Sequence, residues 1–335
     1  MGSPTVDPLW WRCGIHNGWA LLTGLNNGVK KVCVLKGLSE RKQVRHNSQS
    51  FNLDCGPRSS TPKAMNQPPA SQDDQTTQER PPVSVVCEAA REAGALALRY
   101  FGKSPKTWNK PGNSPVTEAD LAIDTMLHSA LRKAYPGYGW LSEEIDDDGS
   151  RLEGGPTFIV DPIDGTRGFI AGTDDWAVSI ALVDNGDPVL SALFNPVTGK
   201  LIFAEAGEGA FCEDADGSVA RLKPTGKADL HDALLAYPGP PRPSQPYSKA
   251  PKLASLALRL AEVATGRFDG CVARPGAKHW DIAAADLIVR EAGLRLTDKA
   301  GRARVYDGED IRHPALVCGS DALTDLLALQ LPNPF

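Results

Sequence analysis

Asp161 and Asp164 stand three residues apart in Asp161-Pro162-Ile163-Asp164-Gly165-Thr166. In a turn, two carboxylates at that spacing point into one pocket and offer hard oxygen ligands. The apolar run Thr157-Phe158-Ile159-Val160 reads as a short buried strand leading into Asp161. Pro162 fixes one backbone angle just past that strand, and Gly165 permits a tight turn. The Ile163 carbonyl between the two acids is a further oxygen donor. Mg²⁺ takes near-octahedral oxygen coordination and keeps several waters, so a few carboxylates and a substrate phosphate suit it. Glu143-Glu144 upstream and Trp280-Asp281 downstream extend the acidic set. By residue type alone, Asp161 and Asp164 equally suit a turn and a cap. Glu143 and Glu144 equally suit a solvated acidic loop running into Asp146-Asp147-Asp148.

Taken together and in order, these motifs resemble those of the inositol monophosphatase superfamily of Mg²⁺-dependent, lithium-sensitive phosphatases. They are Glu143-Glu144, DPIDGT at 161–166 and WDIAAADLIVREAG at 280–293, with Ser114-Pro115-Val116-Thr117-Glu118-Ala119-Asp120 matching the VTxxD segment of that family. The likeness runs from about Val83 to Leu326, about three quarters of the chain. It implies an α+β or α/β fold of the inositol monophosphatase and fructose-1,6-bisphosphatase type, a layered α-β-α-β-α sandwich.

The resemblance also implies roles. A first Mg²⁺ falls to Glu143, Asp161 and the Ile163 carbonyl, and a second to Asp161, Asp164 and Asp281. A third, weaker ion also uses Glu143, so the implied cofactor is two or three Mg²⁺ per active site. Asp120 and Thr166 pair and orient the attacking water, although Asp120 also suits a helix cap. Gly165 and Thr166 present backbone N–H groups to the phosphate. Lys110 matches a basic position near the metal loop, where a solvated lysine is the plainer reading.

For the substrate, Arg167 and Arg274 are the informative residues. Inositol-specific members carry an acid before the Trp-Asp motif, and Arg274 stands there instead. Arg pairs bidentately with phosphate, although either arginine also suits a structural ion pair. Residues 161–194 and 266–298 look most like bacterial 3'(2'),5'-bisphosphate nucleotidases, which convert adenosine 3',5'-bisphosphate to AMP and phosphate. The alternatives within the superfamily are an inositol-1-monophosphatase and a histidinol-phosphatase. The alternative of another class is a non-catalytic phosphate-ligand-binding protein, which would need a lost ligand or water-orienting pair.

The 335 residues carry a net charge of −5, spread unevenly. Residues 1–64 hold a balance of +6 and residues 65–335 one of −11. An acidic body argues against a nucleic-acid polymer and leaves a small phosphorylated metabolite as partner. A homodimer is compatible with all of this. The seven cysteines form no CxxC and are odd in number, which fits a reducing compartment. No apolar run reaches the length of a membrane span. The expected location is cytoplasmic, or an organelle if the basic, acid-poor extension serves as a transit peptide.

Three regions follow. Residues 1–82 read as a disordered extension, because residues 57–82 are dense in Pro, Ser, Gln and Asp and no hydrophobic periodicity precedes them. Met65 looks like an ordinary polar N-terminus, so residues 1–64 are expected to contribute nothing to catalysis. Residues 83–207 read as an N-terminal α+β lobe carrying most metal ligands. Residues 208–335 read as a C-terminal α/β lobe carrying Asp281 and the specificity residues, reached through the proline-rich connection Pro238 to Pro246. Asn185-Gly186 predicts a tight hairpin.

Overall fold

The computed structural model describes residues 80–110, 114–239 and 246–330, and before them the backbone of three strands. The chain divides into two compact units, Met1–Gln75 and Thr76–Phe335.

In the first unit, β1 (Arg12–His16), β2 (Trp19–Asn26) and β3 (Val29–Lys36) pair antiparallel in that order. The extension expected to be disordered across 1–82 thus carries strand backbone at 12–16, 19–26 and 29–36. The rest of 1–79 lies outside the described residues.

The second unit opens with α1 (Val83–Ala97), the hairpin β4 (Thr107–Lys110) and β5 (Ser114–Thr117), and α2 (Glu118–Ala134). A seven-stranded sheet follows, built from β6 (Gly139–Ser142), β7 (Thr157–Asp164), β8 (Ala177–Asp184), β9 (Asp187–Asn195), β10 (Lys200–Glu205), β11 (Gly209–Glu213) and β12 (Val219–Arg221), hydrogen-bonded in sequence order. The short α3 (Thr166–Ala171) sits between β7 and β8. The hairpin β8–β9 turns at Asn185 and Gly186, with φ of 52° and 80°, as a two-residue turn with both central residues left-handed requires.

A second sheet runs β14-β13-β15-β17-β16, from β13 (Leu234–Ala236), β14 (Ser248–Lys249), β15 (Gly270–Ala273), β16 (Arg295–Asp298) and β17 (Leu316–Gly319). Its helices are α4 (Leu256–Ala264), α5 (His279–Glu291) and α6 (Asp321–Gln330).

The layers follow from where apolar faces go. β7 is buried along its whole length. Phe158 and Val160 point into a core shared with Val86, Ala90 and Ala93 of α1 and Ile123 and Leu127 of α2. Ile159, on the opposite face, joins a core with Leu260 of α4 and Ile282 and Ile288 of α5. A third cluster packs Leu323 and Leu327 of α6 on Val272 and Val317 of the second sheet. Helix, sheet, helix, sheet, helix is the expected sandwich.

Two readings of organisation need correction. The first sheet continues to Arg221, past the boundary at 207, because β9 to β12 form one antiparallel meander. The proline-rich stretch joins β13 to β14, neighbours in one sheet, rather than two lobes. Its residues 240–245 lie outside the described residues.

Candidate active site

A strand alternates its side chains, so acids three apart would ordinarily face opposite ways. β7 breaks the alternation. Asp161 pairs with Ser179 and Asp164 with Ala177, so three steps on β7 oppose two on β8. One residue is extra, a bulge at Pro162-Ile163, and Pro162 has no N–H for the ladder. The rephased strand puts both carboxylates in the same cleft. Asp281, on the first turn of α5, joins them, and ligand oxygens of all three lie within 4.8 Å of one another.

Each carboxylate is held by backbone or hydroxyl donors. Asp161 Oδ1 accepts from Ile163 N at 3.0 Å. Asp164 Oδ2 accepts from Ser255 Oγ and from Ala257 N (2.7 Å), and its Oδ1 from Leu256 N (3.3 Å), all at the N-terminus of α4. Asp281 Oδ2 accepts from Lys278 N at 2.6 Å. Gly165 turns the chain into α3 with φ 97°. A Cβ there would meet Ser255 N at 2.9 Å and Asp175 O at 3.0 Å, so the position needs glycine twice over.

Asp120 is the third residue of α2 and divides its two oxygens. Oδ2 accepts from Thr117 N (2.8 Å) and Thr117 Oγ1 (2.6 Å), while Oδ1 lies 3.5 Å from Thr166 Oγ1. Thr166 Oγ1 also reaches the Ile163 carbonyl at 3.2 Å. Cap and site residue are therefore one side chain. One turn further, Asp124 Oδ2 accepts from Glu144 N and Ile145 N, both at 3.1 Å, and so holds the acidic loop. Lys110 donates to Glu143 O (3.1 Å) and Glu144 Oε1 (2.6 Å), and lies 3.6 Å from Glu143 Oε1. Lys110 itself does not line the cavity, but it holds Glu143, which does.

Burial dominates the electrostatics. It pushes Asp161 well above the carboxylate range, aided by the charges of Glu143, Asp164, Asp281 and Asp120. It lifts Asp281 to about 8, with Asp164 as the next contributor. Asp164 and Asp120 rise to about 6, burial being opposed by the Ser255 and Thr117 hydrogen bonds respectively. Burial also raises Glu144 to about 7, against the pull of Lys110. Crowded, desolvated carboxylates of this kind are stable as anions only with a cation among them. The donor set is all oxygen, which suits a hard divalent ion such as Mg²⁺ and not a soft one.

The cavity over these acids has a volume of about 590 Å³, ordinary for a small-molecule site. Glu143, Asp161, Asp164 and Asp281 line it, with Ser114, Gly165 and Thr166. Arg167, Lys249, Lys252, Arg259 and Arg274 line it too. The structure thus brings Arg167 and Arg274 to the site and adds three cations that the sequence did not single out. The residues missed are Thr117, Asp124, Ser255, Lys249, Lys252 and Arg259. Thr117-x-x-Asp120 carried a legible capping signal, whereas the α4 residues carried none. His279 does not reach the cavity; it packs on Tyr306 and its Nδ1 lies 2.9 Å from His313 Nε2.

A five-layer sandwich that buries three carboxylates beneath a wall of cations defines a class: hydrolases that hold a small anion over a divalent metal. The family model described as the inositol monophosphatase family matches residues 79–333, and the chain belongs to that family. It is 33% identical over 270 residues to an inositol-1-monophosphatase of Rhizobium meliloti, covering 75% of this chain and 97% of that one. It is 34% identical over 230 residues to a histidinol-phosphatase of Mycobacterium tuberculosis, covering 65% and 84%. Among solved structures, the extragenic suppressor protein SuhB of Bartonella henselae superposes with a TM-score of 0.64 at 31% identity, covering 73% of this chain and 96% of that one. The protein is a phosphoric monoester hydrolase of a metal-dependent family, which sets aside the reading as a non-catalytic binder.

Proposed function

We propose that the protein hydrolyses a phosphomonoester bearing a second anionic group, and that adenosine 3',5'-bisphosphate, cleaved to AMP and phosphate, is the substrate that fits. The observation that carries this reading is the wall of five cations around one cavity. A neutral inositol ring has no use for them. Histidinol phosphate carries an amine, which like charges disfavour. A second phosphate matches them.

Asp161, Asp164 and Asp281, with Glu143 and the Ile163 carbonyl, would hold two or three Mg²⁺, which would supply Lewis-acid charge neutralisation. The protein does the rest. Thr166 passes its hydroxyl proton toward Asp120 Oδ1, leaving its oxygen to accept from the attacking water. Thr117 locks the other Asp120 oxygen and so keeps Oδ1 aimed. Water adds to phosphorus and gives up a proton through Thr166 toward Asp120, the bond to the ribose oxygen breaks with its electron pair staying on that oxygen, and the oxygen takes a proton from a solvent water, whose place is made good by the proton returned from Asp120. Gly165 and the start of α3 receive the cleaved phosphate, while Arg274 and Arg167 hold the retained one.

A substrate panel ranked by kcat/KM tests this reading. The bisphosphate should lead, and Arg274→Ala should lower its kcat/KM about ten- to a hundredfold, since a charged hydrogen bond is worth about 1.5–3 kcal/mol. A simple monophosphate should be little affected. Faster hydrolysis of inositol 1-phosphate or histidinol phosphate would overturn the substrate assignment. Unchanged preference in both Arg274→Ala and Arg167→Ala would overturn the residue assignment.

A further inference from the structure

Among the buried polar side chains near the cleft, Ser255 stands apart. It lies 91 positions from Asp164 in sequence and its side chain is wholly buried, yet it donates to that carboxylate. The same hydroxyl accepts from Leu258 N at 2.9 Å, so it caps α4 while it bonds the acid. Ser255 N donates to Asp175 O at 3.1 Å, and Ser255 N is also the atom nearest the missing Cβ of Gly165. Serine, glycine turn and carboxylate are thus one packed unit.

A carboxylate has about four lone-pair sites. On Asp164, Oδ2 uses two of them on Ser255 Oγ and Ala257 N, at short range. Oδ1 has a single contact, a long one at 3.3 Å to Leu256 N. The oxygen with capacity left is Oδ1. With Oδ2 pinned, the carboxylate cannot rotate freely about its axis within the cluster it forms with Asp161 and Asp281.

We propose that Ser255 is a positioning residue for the metal centre: it pins Asp164 Oδ2 to the start of α4 so that Oδ1 is presented to the cation. A hydrogen-bond partner behind a metal ligand typically changes metal affinity 10–100-fold when removed. The helix that does the pinning also lines the cavity with Arg259, so metal site and substrate wall share one rigid element. The inference rests on Asp164 being a metal ligand.

The test is Mg²⁺ binding by calorimetry to the full-length wild type, Ser255→Ala and Ser255→Thr, with kcat measured against Mg²⁺ concentration. Ser255→Ala should weaken Mg²⁺ binding by about 10–100-fold and recover much of its kcat at high Mg²⁺, and Ser255→Thr should restore both. Leu327→Ala, in the buried face of α6, controls for lost stability: its melting temperature should fall with Mg²⁺ affinity unchanged. Equal affinity in wild type and Ser255→Ala would overturn the role of Ser255 alone. Failure of the wild type to bind Mg²⁺ would instead overturn the ligand assignment beneath it.

Discussion

Asp161 is the residue on which the site turns, since it sits between the other acids and is 1% exposed. Asp161→Asn keeps the size and removes the charge, so kcat should fall by orders of magnitude while the circular dichroism and melting curve stay native-like. Near-normal turnover of the folded variant, with metal tightly controlled, would sink its role. Thr166 differs in kind because it offers a hydroxyl and no charge. Thr166→Ala should lower kcat by about 10²–10⁴-fold, the usual reach of a proton-handling group, while Mg²⁺ affinity stays near that of the wild type. A large loss of metal binding in Thr166→Ala would mean that the hydroxyl serves the metal site instead.

At the scale of elements, the bulged end of β7, the first turn of α2 and the N-termini of α4 and α5 converge on one cleft. Helix starts supply N–H donors and positive potential, and Asp120, Asp164 and Asp281 each lie against one. Gly165 joins β7 to α3 and has no room for a side chain. Gly165→Ala should destabilise by about 1–3 kcal/mol from its backbone angle alone, read as a lower melting temperature, with a further loss from the contact at Ser255. A fully stable Gly165→Ala variant would contradict the packing of that turn on α4. Asp124 serves the neighbouring loop in the same way. Asp124→Ala leaves the Glu144 amide without its acceptor and the Ile145 amide with only Ser142 Oγ at 3.3 Å, a cost of about 1–3 kcal/mol, and should loosen Glu143 as well.

For the whole molecule, the metal-free state should be sensitive to pH. Asp164 at about 6 and Asp281 at about 8 are raised above ordinary carboxylates, so the folded form binds more protons than the unfolded one between about pH 4 and 8. Their contribution to stability is full at the acid end and is lost as pH rises through those values. Without metal, the melting temperature should therefore fall from pH 5 to pH 8 over and above the drift of other groups. With saturating Mg²⁺ it should rise or stay level, because the cation replaces the protons. A metal-free protein most stable at pH 8 would refute this. The residues proposed for catalysis all lie in the second unit, so a chain starting at Met65 should keep its kcat/KM and melting temperature. A large drop in either would show that residues 1–64 serve the fold.

The sequence by itself determined the candidate ligand types and their order: Glu143, the DPIDGT turn, the Thr117–Asp120 segment and Trp280-Asp281 are local patterns, each set by residues within a few positions of one another. The strand leading into Asp161 and the Asn185-Gly186 hairpin were legible for the same reason, since apolar runs and turn chemistry are short-range. Tertiary structure alone decided three things. The bulge that turns Asp161 and Asp164 to one side depends on the register with β8, which no local pattern specifies. The partnership of Ser255 with Asp164 spans 91 positions and arises because α4 packs its first turn on the Gly165 turn. The cationic wall gathers residues from the start of α3, from β14 and the loop after it, from α4 and from the loop after β15, so it exists only when the two sheets face each other across the α4–α5 layer.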